Sequence, residues 1–320
     1  MPPRLLSAFA FLLLSITTAA AQTYPSKPVR VIVAFGPGVV DTGARVIAQR
    51  LSEKWGQAVV VENRTGAGGN IAAEAAARAP GDGYTLLVTA RNIVVNVVLF
   101  DKVPYTPMKD LLPVSLFANL PFVVVTTPSL PVRNLQELIA YARANPGKLN
   151  FGSGGHGTTP HISGELFKLR AKIDMTHIPF KGSGETVKEL VAGRIQLAID
   201  SVTPYLPFIE RGDVRVIASA GVRRIDKLPD VPTVAEAGIA DFEAGAWLSI
   251  WAPGGTPAAI VQHLNRDAAT VLDTREAREQ MAKLGMEVPP AMSPAELTTY
   301  MNAEMRKWGE VVRISGAKVN

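Results

Sequence analysis

The residues with the clearest binding chemistry lie in a glycine-rich stretch near the middle of the chain. Gly152 to Thr159 reads Gly-Ser-Gly-Gly-His-Gly-Thr-Thr. Glycines leave backbone N–H groups open to a ligand, and serine and threonine add hydroxyl donors, so this composition suits the binding of an oxyanion. The alternative is a flexible loop without a ligand. The candidate ligand-binding residues of this loop are Ser153, Gly154, His156, Gly157, Thr158 and Thr159.

A second candidate loop lies near the amino terminus, between a strand and a helix. The apolar run Val29 to Phe35 lacks alternation, which predicts a strand covered on both faces. Helical spacing begins at Asp41, a residue type that caps first-turn N–H groups. A helix start at the carboxyl end of a strand attracts negative charge, because its N–H groups and its dipole act together. The candidates are Phe35, Gly36, Pro37, Gly38, Val39, Val40 and Asp41, although a plain turn with Asp41 as its cap is the alternative.

Further candidates follow other predicted strands. Arg91 comes after the third strand, where its guanidinium could pair with a second ligand carboxylate as a bidentate fork, although exposure to solvent is the commoner fate of an arginine. Asp200 and Ser201 end a strand in the second half and either complete the pocket or cap the next helix. The aromatic residues Phe180 and Trp247 either line the pocket or belong to the core.

Enzyme chemistry is the weaker alternative. Ser153, His161 and Asp200 could supply a hydrolytic triad, but Ser153 does not lie in a Gly-x-Ser-x-Gly elbow, and His161 suits packing or capping. The histidines at 156, 161, 177 and 263 include no His-Glu-x-x-His pair, and cysteine is absent. Glycines 66–69 lack the dinucleotide spacing Gly-x-Gly-x-x-Gly. We therefore predict no catalytic residue, no metal ligand and no cofactor, and a protein that is not an enzyme.

Two series of alternating strands and helices position these loops. Three strands and two helices between Val29 and Thr89 form one α/β unit, and residues 92–113 are predicted to be irregular. A second series runs from residue 122 to residue 219, and three helices after Pro257 close the chain. We predict lobe 1 at residues 22–122 and 229–320, and lobe 2 at residues 123–228.

The first 21 residues predict an export signal. Arg4 precedes the apolar run Leu5 to Ile16, and three alanines, 19–21, form a small-residue cleavage site. The apolar run is shorter than the roughly 20 residues that a membrane-spanning helix needs. The formal net charge of +5 is mild and the basic residues are scattered, which argues against a nucleic-acid partner. A large α/β protein without cysteine also suits an oxidising compartment such as the periplasm.

Seven short motifs occur in register and together resemble a known family. They are Asp41–Arg45, Val60–Arg64 with Gly66–Gly69, Asp82–Leu87, Gly157–His161, Ile178–Gly182, Pro229–Thr233 with Glu236–Gly238, and Trp251–Pro257. In this order they resemble the Bug (TctC-like) family of periplasmic solute-binding receptors of tripartite tricarboxylate transporters. The resemblance covers essentially the whole chain after the signal segment.

The resemblance implies a type II periplasmic-binding-protein fold, in which two α/β lobes are joined by a two-crossing hinge with a cleft between them. It also implies a monomer that binds a small organic carboxylate, such as a dicarboxylate or tricarboxylate, an aromatic acid or an amino acid, through backbone N–H groups of the loops Phe35–Asp41 and Ser153–His161. Delivery to membrane permease subunits is the implied role, with signalling to a membrane sensor kinase as the alternative. The chain departs from the family loop Phe-x-x-Gly-Gly-x-x-Asp, because five residues instead of six separate Phe35 from Asp41.

Overall fold

The computed structural model describes residues 24–315, in which strands and helices alternate as the sequence pattern predicts. The predicted signal segment, residues 1–21, lies outside the described residues. The elements of the first half are β1 (Val29–Val33), α1 (Val39–Trp55), β2 (Val59–Asn63), α2 (Asn70–Ala77), β3 (Thr85–Ala90), α3 (Asn92–Leu99) and β4 (Leu111–Thr126).

The second half repeats the alternation and then returns to the first. Its elements are α4 (Leu135–Ala144), β5 (Asn150–Ser153), α5 (Thr159–Ala171), β6 (Thr176–Pro179), α6 (Ser183–Val191), β7 (Leu197–Ser201), α7 (Leu206–Arg211) and β8 (Arg215–Ser219). The returning elements are β9 (Gly245–Pro253), α8 (Ala258–Leu272), α9 (Arg275–Lys283) and α10 (Pro294–Ser315).

The long strand β4 belongs to two sheets. Its residues 111–121 pair with β9 in a sheet of order β2-β1-β3-β9-β4, and its residues 122–126 pair with β7 and β8. β7 continues the second sheet through β5 to β6. Large buried side chains such as Ile32, Trp251 and Phe151 fill the layers between sheets and helices.

Parallel pairing aligns the strand ends that matter for binding. β1 pairs in parallel with β2 and β3, and β5 pairs in parallel with β6 and β7. Because the chain leaves each parallel strand at its carboxyl end, the helices that follow begin at one edge of each sheet. The prediction of parallel strands holds for these pairs, while β9 runs antiparallel to β3 and β4.

One sequence prediction about the fold is wrong. Residues 92–113 were expected to be irregular, but residues 92–99 form helix α3. Its sequence Asn-Ile-Val-Val-Asn-Val-Val-Leu is rich in β-branched residues and has no side-chain cap, so local propensity does not indicate a helix. The helix packs against α10 and buries Ile93, Val94 and Leu99. Tertiary packing therefore decides its conformation.

The lobe boundaries stay a prediction, and strand pairing bears on where the chain crosses between the sheets. The first change of neighbours on β4 occurs at Phe122. After β8, Ser219 bridges to Thr233, and the Ala244 N–H donates to the Ala220 carbonyl just before β9 begins. These contacts place Thr233 and Ala244 beside the end of β8 in the second sheet.

No helix between residues 24 and 315 is long and apolar enough to cross a membrane.

Candidate functional site

A cavity of about 700 Å³ lies between the two loops that the sequence singles out. Its floor is formed by Leu120 and Phe122 of β4 and Ala246 of β9, where the two sheets meet. A cavity of this size accommodates a small organic molecule. The remaining walls come mainly from Phe35–Val40, Thr65–Gly69, Gly154–His156, Thr158–Pro160, Lys181–Ser183 and Asp200–Ser201.

The helices that follow the two predicted loops, α1 and α5, present their amino-terminal ends to this cavity. α1 begins at Val39 after Gly38, which has no side chain to act as a cap. α5 begins at Thr159, and the hydroxyl of the preceding Thr158 donates to the Gly155 carbonyl at 2.7 Å instead of accepting from the helix. The first-turn N–H groups of a helix have no partner within the helix. The cavity therefore receives the positive ends of two helix dipoles.

Asp41 is neither the cap nor a wall of the cavity. It is buried in the first turn of α1, where its carboxylate accepts from Arg45 Nε at 3.0 and 3.1 Å and from Asn63 Nδ2 at 2.8 Å. Burial alone would raise the pKa of Asp41, but the bonds from Arg45 and Asn63 lower it below its usual value. Asn63 Nδ2 also donates to the Phe35 carbonyl at 2.7 Å. Through Asn63, Asp41 therefore fixes the position of the Phe35–Val40 loop without lining the cavity.

The predicted residues of the second loop divide between the cavity and its support. Gly154, His156, Thr158 and Thr159 line the cavity. Ser153 is fully buried and outside the lining. Its hydroxyl donates to the Gly155 carbonyl at 3.1 Å and lies 2.6 Å from His177 Nε2.

Gly154 and Gly157 allow the backbone of this loop to pack closely against neighbouring elements. Gly157 lies outside the cavity lining and has a φ of +77°, and a Cβ there would lie 2.7 Å from the Phe100 ring. A Cβ on Gly154 would lie 3.2 Å from Gly182 Cα, so this glycine allows the loop to approach the start of α6.

Three histidines gather beside the cavity, which their positions in the sequence do not indicate. His156 is exposed and lines the cavity, while His161 and His177 lie behind it with stacked rings 4.1 Å apart. Burial, followed by the neighbouring histidines, lowers the pKa of His161 to about 4 and that of His177 to about 3. Both rings are therefore neutral at neutral pH.

Asp200 and Ser201, at the end of β7, complete the polar part of the cavity. Asp200 is 2% exposed, and its Oδ1 accepts from the Ser201 N–H at 2.7 Å. Within the described residues, Ser201 Oγ is buried without a hydrogen-bond partner, while the Ser183 and Tyr205 hydroxyls lie beside the Asp200 carboxylate. Burial raises the pKa of Asp200 to about 6, against the opposing effect of the Ser183 and Tyr205 hydroxyls. Unpaired buried polar atoms at a cavity wall indicate a place for a ligand group.

Sequence reasoning missed several parts of the cavity wall. Lys181 is exposed at the wall and forms no ion pair among the described residues. It lies in the motif Ile178–Gly182, which was used for the resemblance but not for the site. The loop Thr65–Gly69 was weighed only as a dinucleotide loop, although its strand, glycine and helix order matches that of the first loop. Asn92 and Phe100 were missed because helix α3 was missed.

Arg91 does not take the predicted position at the cavity. Its side chain is buried, with Nε 2.9 Å from Glu304 Oε2 and the guanidinium carbon 4.6 Å from the centre of the Trp308 ring. It also donates to the Gly245 carbonyl. Trp247, offered above as a possible wall, is buried and donates to Glu304 at 3.0 Å. Arg91 therefore fastens α10 to β9 and is not free to pair with a ligand.

The described residues do not assemble the alternative hydrolytic triad. The histidine next to the Ser153 hydroxyl is His177, not His161. Asp200 bonds to its neighbour Ser201. Phe180, the other aromatic candidate, packs against core residues of the second sheet such as Val123. Of the three predicted aromatic residues, Phe35 lines the cavity.

Two sheets sharing β4, with a cavity at their junction, define the class of two-lobed α/β solute-binding proteins. Residues 43–316 match the TctC family, described as the tripartite tricarboxylate transporter family receptor. The chain belongs to this family. Protein BugT of Bordetella pertussis is 37% identical over 322 residues, covering 99% of this chain and 98% of its own length.

Solved structures agree with this membership. R. palustris Rpa4515 with adipate is 37% identical with a TM-score of 0.87, covering 92% of this chain and 98% of that one. MatC (Rpa3494) from Rhodopseudomonas palustris with bound malate is 34% identical with a TM-score of 0.84, covering 90% and 100%. The predicted family and type II periplasmic-binding-protein fold are confirmed. The family consists of solute-binding receptors, so the prediction that the chain is not an enzyme is also confirmed.

We expect Arg91→Ala to lower the free energy of unfolding by about 3–5 kcal/mol, because it leaves the buried Glu304 carboxylate without its charged partner. Urea denaturation followed by tryptophan fluorescence measures the loss. Arg275→Ala is the matched control, since it removes an arginine from an exposed pair with Glu279 and should cost less than about 1 kcal/mol. Unchanged stability of the Arg91 variant would contradict the structural role.

Proposed function

We propose that this chain is an exported, monomeric periplasmic receptor that captures a small organic carboxylate and delivers it to membrane permease subunits of a tripartite transporter. The observation that carries the proposal is the shared cavity, to which the loops Phe35–Val40 and Gly154–Thr159 both bring the amino-terminal end of a helix. Backbone N–H groups at such ends bind carboxylates without a charged side chain.

Two relatives support a dicarboxylate as the ligand class. The structures similar to this chain include one with adipate and one with bound malate, and both molecules carry two carboxylates. Here the helix ends would receive one carboxylate. Lys181, exposed at the wall, would interact with the second.

The energies involved are sufficient for reversible capture. Hydrogen bonds to a charged group contribute about 1.5–3 kcal/mol each. Micromolar affinity needs about −8 kcal/mol, and association costs on the order of 4–15 kcal/mol. Roughly four to six such bonds, together with contacts to apolar walls such as Leu120 and Phe122, reach this range.

A panel of aliphatic acids tests the function. We expect adipate and malate to raise the melting temperature of the protein more than hexanoate does, because Lys181 attracts the second charge. A ligand at about 100 times its dissociation constant stabilises a protein by about 2.7 kcal/mol. Differential scanning fluorimetry followed by calorimetry measures both effects. If no acid in the panel binds, the proposal fails, and turnover of any acid would favour an enzyme.

Lys181→Gln isolates the role of the second charge within the same panel. The variant should bind adipate about as weakly as hexanoate, whereas the control Lys188→Gln, on the exposed face of α6, should keep the wild-type difference. If the wild type and Lys181→Gln prefer adipate over hexanoate to the same extent, Lys181 does not interact with the second carboxylate.

We expect Gly36→Val to weaken adipate binding at least about tenfold, or about 1.4 kcal/mol, because Gly36 lines the cavity just before α1 and the new side chain occupies space there. The nearest atom to a Cβ at Gly36 is Thr65 Cγ2 at 3.6 Å, an ordinary contact, so the fold should persist. Calorimetry gives the affinity and circular dichroism checks the fold. Gly184→Ala is the control, because open space surrounds that position outside the cavity. If both variants bind adipate with equal affinity, the ligand does not bind at the first loop.

We expect adipate affinity to rise as the pH falls from 8 to about 6. Burial raises the pKa of Asp200 to about 6, so above this pH the group is a carboxylate that repels an anionic ligand, and below it a neutral acid that can donate a hydrogen bond. A change of one pKa unit corresponds to about 1.4 kcal/mol, or about tenfold in affinity. Calorimetry in two buffers of different ionisation enthalpy should detect proton uptake. Asp200→Asn should bind with no such pH dependence, and an unchanged profile in this variant would refute the assignment.

A further inference from the structure

Three of the four histidines of the chain meet at one wall of the cavity. His156 comes from the loop before α5, His161 from the first turn of α5, and His177 from β6. One ring nitrogen from each lies within 4.8 Å of the other two. Carboxylate capture by helix ends and Lys181 makes no use of the His161 and His177 rings.

We propose that His156, His161 and His177 form a binding site for one divalent transition-metal ion such as Zn²⁺. Imidazole is a preferred ligand of Zn²⁺, Cu²⁺ and Ni²⁺. Three histidines that leave one coordination position open form an established zinc arrangement. His156 lines the cavity, so the open position is reachable from the solvent that fills it.

Coordination requires the three nitrogens to close in and the stacked rings of His161 and His177 to turn, so that both of their lone pairs point at one ion. A tetrahedral ion with Zn–N distances of about 2.0–2.1 Å holds its ligand atoms about 3.4 Å apart, so the largest separation must close by about 1.4 Å or less. His156 is the ring best placed to move, because it is exposed and stands between Gly155 and Gly157.

The His177 ring already has a contact of the kind that orients a metal ligand. Ser153 Oγ lies 2.6 Å from His177 Nε2, and coordination through Nδ1 would keep this bond with Nε2–H as the donor. The Gly157 N–H reaches His161 Nδ1 only at 3.4 Å, a long bond that an ion can replace at little cost. His161 is buried and His177 is half-buried, and both bind as neutral ligands.

Zinc titration of the untagged protein tests the site. We expect one equivalent of Zn²⁺ to bind in competition with a chromophoric chelator, and Co²⁺ to give the intense visible bands of a four-coordinate site. His156→Gln should weaken Zn²⁺ binding on the order of 100-fold, because losing a ligand costs at least as much as losing a contact that supports one. Because His156 is exposed, this variant tests the site without disturbing the core. His161→Gln should cause a comparable loss.

His263→Gln is the matched control. His263 lies on α8, 3.0 Å from Asp267 and outside the cluster, so its removal should leave zinc affinity unchanged. Melting curves of the metal-free variants verify that each is folded. The proposal is overturned if the wild type does not bind a single equivalent, or if His156→Gln and His263→Gln bind Zn²⁺ with the same affinity. Metal binding is measured without an organic ligand, so its failure leaves the carboxylate proposal intact.

Discussion

The structure depends on bringing the amino-terminal ends of helices from two sheets to one cavity. α1 follows β1 in the first sheet, and α5 follows β5 in the second. Neither helix has a side-chain cap. The cavity therefore faces free backbone N–H donors, and the positive ends of both helix dipoles point toward it. Such donors are fixed by the fold and need no buried cation, which avoids the desolvation cost of an unpaired charge.

Because these backbone donors stay free for a ligand, other residues must fix the conformation of the two loops through hydrogen bonds outside the cavity. Asp41, Asn63 and Arg45 tie the first loop to α1 and β2. Ser153 and Thr158 converge on the Gly155 carbonyl in the second loop. Several polar residues that look suited to ligand contact therefore support the backbone, and their hydrogen-bonding capacity is used before a ligand arrives.

The junction of the sheets sets the geometry of the cavity. β4 runs without a break from the first sheet into the second, and β9 pairs along its first part. Leu120, Phe122 and Ala246 form the cavity floor at this junction. A change in the angle between the sheets would alter the separation of the two loops while leaving each loop intact. The buried contact of Arg91 with Glu304 and Gly245 anchors α10 to β9 beside this junction.

The amino-acid sequence by itself determined the alternating strands and helices and the two glycine-rich loops at their junctions, because these features depend on neighbours along the chain. It also identified the family, whose motifs are local. Only the tertiary structure decided the helical state of residues 92–99, the burial of Arg91 and the raised pKa of Asp200. The tertiary structure also decided that His156, His161 and His177 lie together. In each case the deciding partner is distant in sequence, and burial, charge pairing and packing act between residues that only folding brings together.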